Sequence, residues 1–176
     1  MLPKVNGVSL MEVLVTTLVL GIGLLGVAAL QITSLNSNQE GYFRSQATEI
    51  AESLASKMRT ARMSIYDGTT SLNDVISSYT GSPYDCSNPS SCISGSCNES
   101  ELIAFDRYQV CNSAASELPE GEVYVQNVSG IRSRIAVAWT PVSAREDIGQ
   151  KQIINSECVN VGIPDTKDCV ILEVIP

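Results

Sequence analysis

No charged residue occurs between positions 13 and 39, and from position 8 to 30 the chain is almost wholly apolar, with Glu12 its only ionisable group. As a helix, the eighteen residues 13–30 would span about 27 Å, close to the hydrocarbon thickness of a bilayer. Lys4, on the short side of this segment, favours leaving the N-terminus in the cytoplasm and the body outside. The first constraint on the fold is therefore an apolar helix that the rest of the chain must accommodate.

Three readings of the segment compete. A cleaved secretory signal has a shorter apolar core and a site of small residues; the nearest candidate, Val27-Ala28-Ala29, follows a long run. A plain membrane anchor explains the length but not Glu12, because a carboxylate in lipid is costly unless something compensates it. The third reading supplies the compensation. Gly7-Val8-Ser9-Leu10-Met11-Glu12-Val13 resembles the processing site of type IV prepilins, in which a dedicated peptidase cuts after the glycine and the apolar helix stays in the mature protein. The resemblance implies cleavage between Gly7 and Val8, N-methylation at Val8, and Glu12 as the fifth mature residue. Its carboxylate then meets the new α-amino group of Val8, on its own chain or a neighbour's, so that two costly charges become a pair. The family usually carries Phe where Val8 stands, and a Pro where Ala29 stands.

Helical periodicity continues beyond the apolar run. Ala47, Ile50, Ala51, Leu54, Ala55, Met58, Ala61 and Ile65 form one stripe, with Glu49, Glu52, Lys57, Arg59 and Arg62 mostly off it. A helix over residues 8–65 has two environments, lipid or filament core first and then a docking surface. Gly21, Gly23, Gly26 and Gly41, with Asn36-Ser37-Asn38, are weak helix formers. They fit close packing against neighbouring apolar helices, or local melting as a subunit leaves the membrane.

Asp67-Gly68 breaks the pattern, and residues 71–78 suit one or two helical turns. Residues 79–100, rich in Ser, Gly, Pro, Asn and Cys, read as a loop held by cross-links rather than by a core. A helix is expected over 99–115, with Ser100 as N-cap. Alternation predicts strands at 122–128 and 131–140 around a Ser129-Gly130 turn, the second stopped by Pro141. Further strands are expected at 151–154 and 170–175. One face carries Val123, Val125 and Asn127 in the first of these, Ile135, Val137 and Trp139 in the second, and Val170, Leu172 and Val174 in the last; one face of the sheet must be buried against the amphipathic helix. The fold class is α+β: a long N-terminal helix, membrane-spanning and then amphipathic, packed on an antiparallel sheet of three to four strands, with a disulfide-linked loop region. Its divisions are residues 1–7 as leader, 8–30 as transmembrane or filament-core helix, 31–66 as amphipathic helix, and 67–176 as head domain.

Six cysteines, Cys86, Cys92, Cys97, Cys111, Cys158 and Cys169, all follow the apolar segment. An even count on that side indicates disulfides in an oxidising compartment. A zinc site is disfavoured, since there is no Cys-x-x-Cys and no histidine. Cys158 and Cys169 flank the turn residues Gly162-Ile163-Pro164-Asp165 and are paired first; the other four leave three connectivities open. A formal charge of −8 with only the loose group Lys57, Arg59, Arg62 argues against nucleic-acid binding. Without histidine the commonest general base is missing, Glu146-Asp147 reads as solvated loop charge, and Trp139 as core. Neither an enzyme nor a cofactor is expected.

Leu118-Pro119-Glu120-Gly121, a strand, a turn and Ile135-Ala136-Val137-Ala138-Trp139 resemble the PilV-type minor pilins. That resemblance implies a low-abundance subunit that helps start pilus assembly, supporting twitching motility and adhesion. The implied partners are major and minor pilins, prepilin peptidase, the inner-membrane assembly platform, a tip adhesin and the bilayer. The precursor would sit in the inner membrane with its head in the periplasm, and the mature subunit in the pilus at the cell surface. A minor pseudopilin of type II secretion shares every N-terminal feature, and a membrane-anchored periplasmic binding protein outside any filament is the remaining alternative.

Overall fold

The computed structural model describes residues 9–61, 71–87, 89, 92, 97–142 and 155–176. By its internal contacts the chain divides into two units, the first ending at Gln39 and the second starting at Glu40.

The first unit holds the N-terminal part of α1 (Leu10–Ala61), which is helical throughout, including Gly21, Gly23, Gly26 and Gly41. The Ser9 carbonyl accepts the opening hydrogen bonds from the amides of Glu12 and Val13, at 3.0 and 3.3 Å. Thr16, Thr17 and Thr33 turn their hydroxyls back onto the carbonyls of Val13, Leu14 and Ala29. The helix thus satisfies these polar side chains internally, as an apolar surrounding requires.

The second unit is the head. There α1 buries Phe43, Ala47, Ile50, Ala51, Leu54, Ala55 and Met58. The two i, i+4 rows complement each other: Ile50, Leu54 and Met58 supply apolar bulk, while Ala47, Ala51 and Ala55 let the backbone come close to what it packs on. Burying one such leucine is worth about 1.5–3 kcal/mol. Phe43, outside the predicted stripe, extends it by one turn; Ile65 lies outside the described residues.

β1 (Glu122–Ser129), β2 (Arg132–Trp139) and β3 (Asp168–Val174) form an antiparallel sheet in the order β1-β2-β3, with Val125 opposite Ile135 and Ile135 opposite Leu172. One face joins the α1 core through Val123, Val125, Ile135, Val137, Trp139, Val170, Leu172 and Val174. The other face is covered too. Tyr124, Ala136, Ala138 and Cys169 pack with Cys158, Val161 and Ile163 from α4 (Ser156–Asn160) and the turn after it. The small Ala136 and Ala138 leave room for that second layer, which alternation alone did not reveal. The predicted strand at 151–154 lies outside the described residues.

Several boundaries differ from expectation. The β1–β2 turn is Gly130-Ile131, not Ser129-Gly130: Ser129 pairs with Arg132 after a register shift at residues 127–129, and Gly130 takes a φ of 55°. α3 (Glu99–Glu117) is capped by Asn98, not Ser100, and runs two residues past 115. Asn98 Oδ1 accepts from the Glu101 amide and the Glu101 carboxylate accepts from the Asn98 amide, both at 2.9 Å, whereas Ser100 sits inside the first turn. A second capping box, Ser71 with Asp74, opens α2 (Leu72–Tyr79).

The segment 79–100 is also more than a cross-linked loop. Tyr79 and Tyr84 are buried in the core. Gly81 exchanges backbone hydrogen bonds with Val125 at 3.0 and 2.7 Å, and the Tyr84 amide donates to Val123 at 2.8 Å, so this segment closes the free edge of β1.

Candidate functional site

In the first unit the feature with functional consequences is a surface that none of its described residues covers. The large apolar residues of α1 from Leu10 to Leu35 are all at least half exposed, from 50% at Val13 to 86% at Leu10. The helix is long and apolar enough to cross a membrane. Added Cβ atoms at Gly21, Gly23 and Gly26 would meet nothing within 4 Å, so these glycines answer no packing demand among the described residues. Glu12 lies exposed in the first turn of α1. Gly7 and Val8 lie outside the described residues.

The cysteines form three bonds. Cys158–Cys169 brings α4 onto the outer sheet face with Cα atoms 5.9 Å apart. Cys86–Cys111 ties the segment beyond Tyr84 to α3, and Cys92–Cys97 closes a short local loop. Sequence reasoning left these last two pairings open.

It also missed Asp106, around which the three helices of the head's inner layer are joined. Lys57 Nζ of α1 donates to Asp106 Oδ1 at 2.7 Å and to Gln109 Oε1 at 2.7 Å, and the Tyr79 hydroxyl of α2 donates to Asp106 Oδ2 at 2.9 Å. The signal was present: Asp106 falls on the stripe Ile103, Val110, Ala114, where a carboxylate must find partners once buried. Burial, together with the charge and hydrogen bond of Asp106, pushes the Tyr79 phenol well above its ordinary range. Burial does the same to Tyr84, against the opposing pull of Arg107, whose guanidinium lies 4.7 Å from the ring centre. The Tyr84 hydroxyl donates to the Tyr79 carbonyl, closing the cluster.

At the other end of the sheet, Lys167 Nζ donates to the Glu120 carbonyl at 2.9 Å and pairs with Glu122 at 2.8 Å. Partial burial raises the Glu122 carboxyl, but hydrogen bonds from Lys167 and Tyr124 and the Lys167 charge outweigh it, and the net shift is downward. No group of three or more His, Cys, Asp or Glu side chains able to hold a metal occurs among the described residues.

These features make a membrane-compatible helix and a cross-linked head whose polar interior holds structure together. Residues 29–108 match a type IV pilin family, described as Tt1218-like (Type IV pilin Tt1218). No curated protein and no solved structure matches the chain. The match covers under half of the chain; over those residues the chain is similar to the type IV pilins, which supports a pilin role. With the apolar helix, it fits membrane anchoring and assembly with other pilins in a filament.

Proposed function

We propose that this chain, aligned with the type IV pilins over residues 29–108, works as a minor pilin that helps to start the assembly of a type IV pilus. Prepilin peptidase cuts between Gly7 and Val8, and Val8 is the site of N-methylation. Residues 8–30 hold the precursor in the inner membrane with its head in the periplasm. The assembly platform then transfers the helix from lipid into a bundle of pilin helices, taking the head to the cell surface. Through that role the subunit supports twitching motility and adhesion, beside major and minor pilins and a tip adhesin.

The observation that carries this reading is the exposed apolar length of α1 with a single carboxylate at its start. Dispersion and close packing favour a helix bundle, and the open faces over Gly21, Gly23 and Gly26 suit close approach of neighbouring helices. Pairing Glu12 with the α-amino group of Val8 removes the largest cost of that transfer.

Two variants test it. Glu12→Ala should insert into the membrane normally and fail to enter filaments; normal incorporation would refute the charge pairing. Gly7→Ala should block processing, seen as a slower band on a gel. The decisive measurement is the mass of the mature N-terminus, since retention of residues 1–7 overturns the reading.

A further inference from the structure

In the head, α1 and α3 flank a groove of about 370 Å³ with a floor of buried Ile50 and Val110. Its charged lining is unevenly matched. Lys57, at one end, is already committed to Asp106 and Gln109. Eight residues away along each helix, backwards on α1 and forwards on α3, Glu49 and Glu117 line the same groove, about 12 Å from Lys57 along the axis. Among the described residues neither carboxylate has an ion pair or side-chain hydrogen bond. Glu117 is moreover the last residue of α3, a helix with no basic residue in its last turn, so its charge adds to the partial negative charge of the terminal carbonyls. Two carboxylates without an ion pair among the described residues, one of them at a helix C-terminus, thus line one groove with an apolar floor.

We infer that this groove docks a lysine or arginine side chain carried on a surface segment of a different protein subunit. The methylene stem of such a residue lies on Ile50 and Val110 while its charged head meets Glu49 and Glu117. A second copy of this chain is the poorer occupant. Every Lys/Arg but Lys4 and every Asp/Glu but Glu12 lies beyond residue 39, so the head carries 10 − 18 = −8, the whole formal charge. That the cation comes from a filament neighbour rests on the function proposed above; the electrostatics of the groove do not.

The test is a titration of the full-length chain in neutral detergent micelles with a fluorescein-labelled hexapeptide alternating leucine and lysine, beside its glutamine-for-lysine counterpart. The basic peptide should bind saturably and about tenfold more tightly than the neutral one. Glu49→Gln with Glu117→Gln should abolish that preference, while Glu52→Gln, on exposed α1 outside the groove, should preserve it. Equal binding of the two peptides, or equal loss in the Glu52→Gln control, would overturn the inference. A retained leader would refute the filament and leave this titration unchanged.

Discussion

Trp139 Nε1 donates a 2.8 Å hydrogen bond to Oε1 of Glu40, 99 residues earlier in the chain. Glu40 is the first residue of the head unit and Trp139 the last of β2, fully buried. The pair fixes the beginning of the docked part of α1 against the end of the central strand. Arg44, one turn on, repeats the fastening through Asp168 at 2.9 Å, although its own side chain is largely exposed.

Trp139→Phe removes the donor and leaves a half-buried carboxylate unpaired. It should destabilise the head by about 1.5–3 kcal/mol. Glu40→Gln keeps an acceptor and should cost less than half as much. Denaturant unfolding followed by circular dichroism checks the order; equal losses would show that the carboxylate charge, and not an acceptor alone, holds the pair.

The disulfides should rank by the chain they close. Their partners are 25, 11 and 5 residues apart for Cys86–Cys111, Cys158–Cys169 and Cys92–Cys97. Loop-closure entropy then gives about 3.5, 3 and 2 kcal/mol lost when each pair is replaced by serine. Thermal unfolding of the three double variants measures the ranking. Loss of Cys158–Cys169 should also bare the outer sheet face and raise binding of a hydrophobic dye.

Gly121 and Gly26 should respond oppositely to alanine. A Cβ at Gly121 would stand 2.0 Å from the Ala114 carbonyl oxygen, a backbone atom that cannot yield cheaply. Gly121→Ala should therefore cost at least about 2 kcal/mol. Gly26→Ala meets open space and should leave head unfolding unchanged, while raising helicity of the apolar segment. Unfolding curves of the two variants, side by side, test the contrast.

Acid should weaken the head through Glu122. Its folded value lies below the ordinary 4.5, so its contribution is complete above pH 4.5 and is lost as pH falls through the lowered folded value. Lys167→Met removes a principal cause of the shift and should flatten stability against pH in that acid window. Unfolding midpoints measured from pH 6 to pH 3 in both proteins decide it; parallel curves would show that Glu122 contributes nothing.

What could be foreseen was local. The apolar run through residues 13–30 predicts an apolar helix whatever surrounds it, because each residue's face follows from a local repeat. The stripe from Ala47 to Met58 and the alternation through Ile135, Val137 and Trp139 named most of the core for the same reason. Turn and cap positions slipped by one or two residues where two side chains compete for one role. Asn98 outranks Ser100 because it stands three residues before Glu101, and the shift at 127–129 moves the hairpin turn to Gly130.

By itself, then, the order of residues determined an apolar helix ahead of an amphipathic one, an antiparallel sheet, and cysteines placed for cross-linking. Only the tertiary structure decided that Asp106 would join Lys57 and Tyr79, that Cys86 would reach Cys111, and that Ala136 and Ala138 would carry a second layer. Periodicity records which face a residue presents. Which distant group meets that face depends on how the elements pack, and packing is a property of the whole chain.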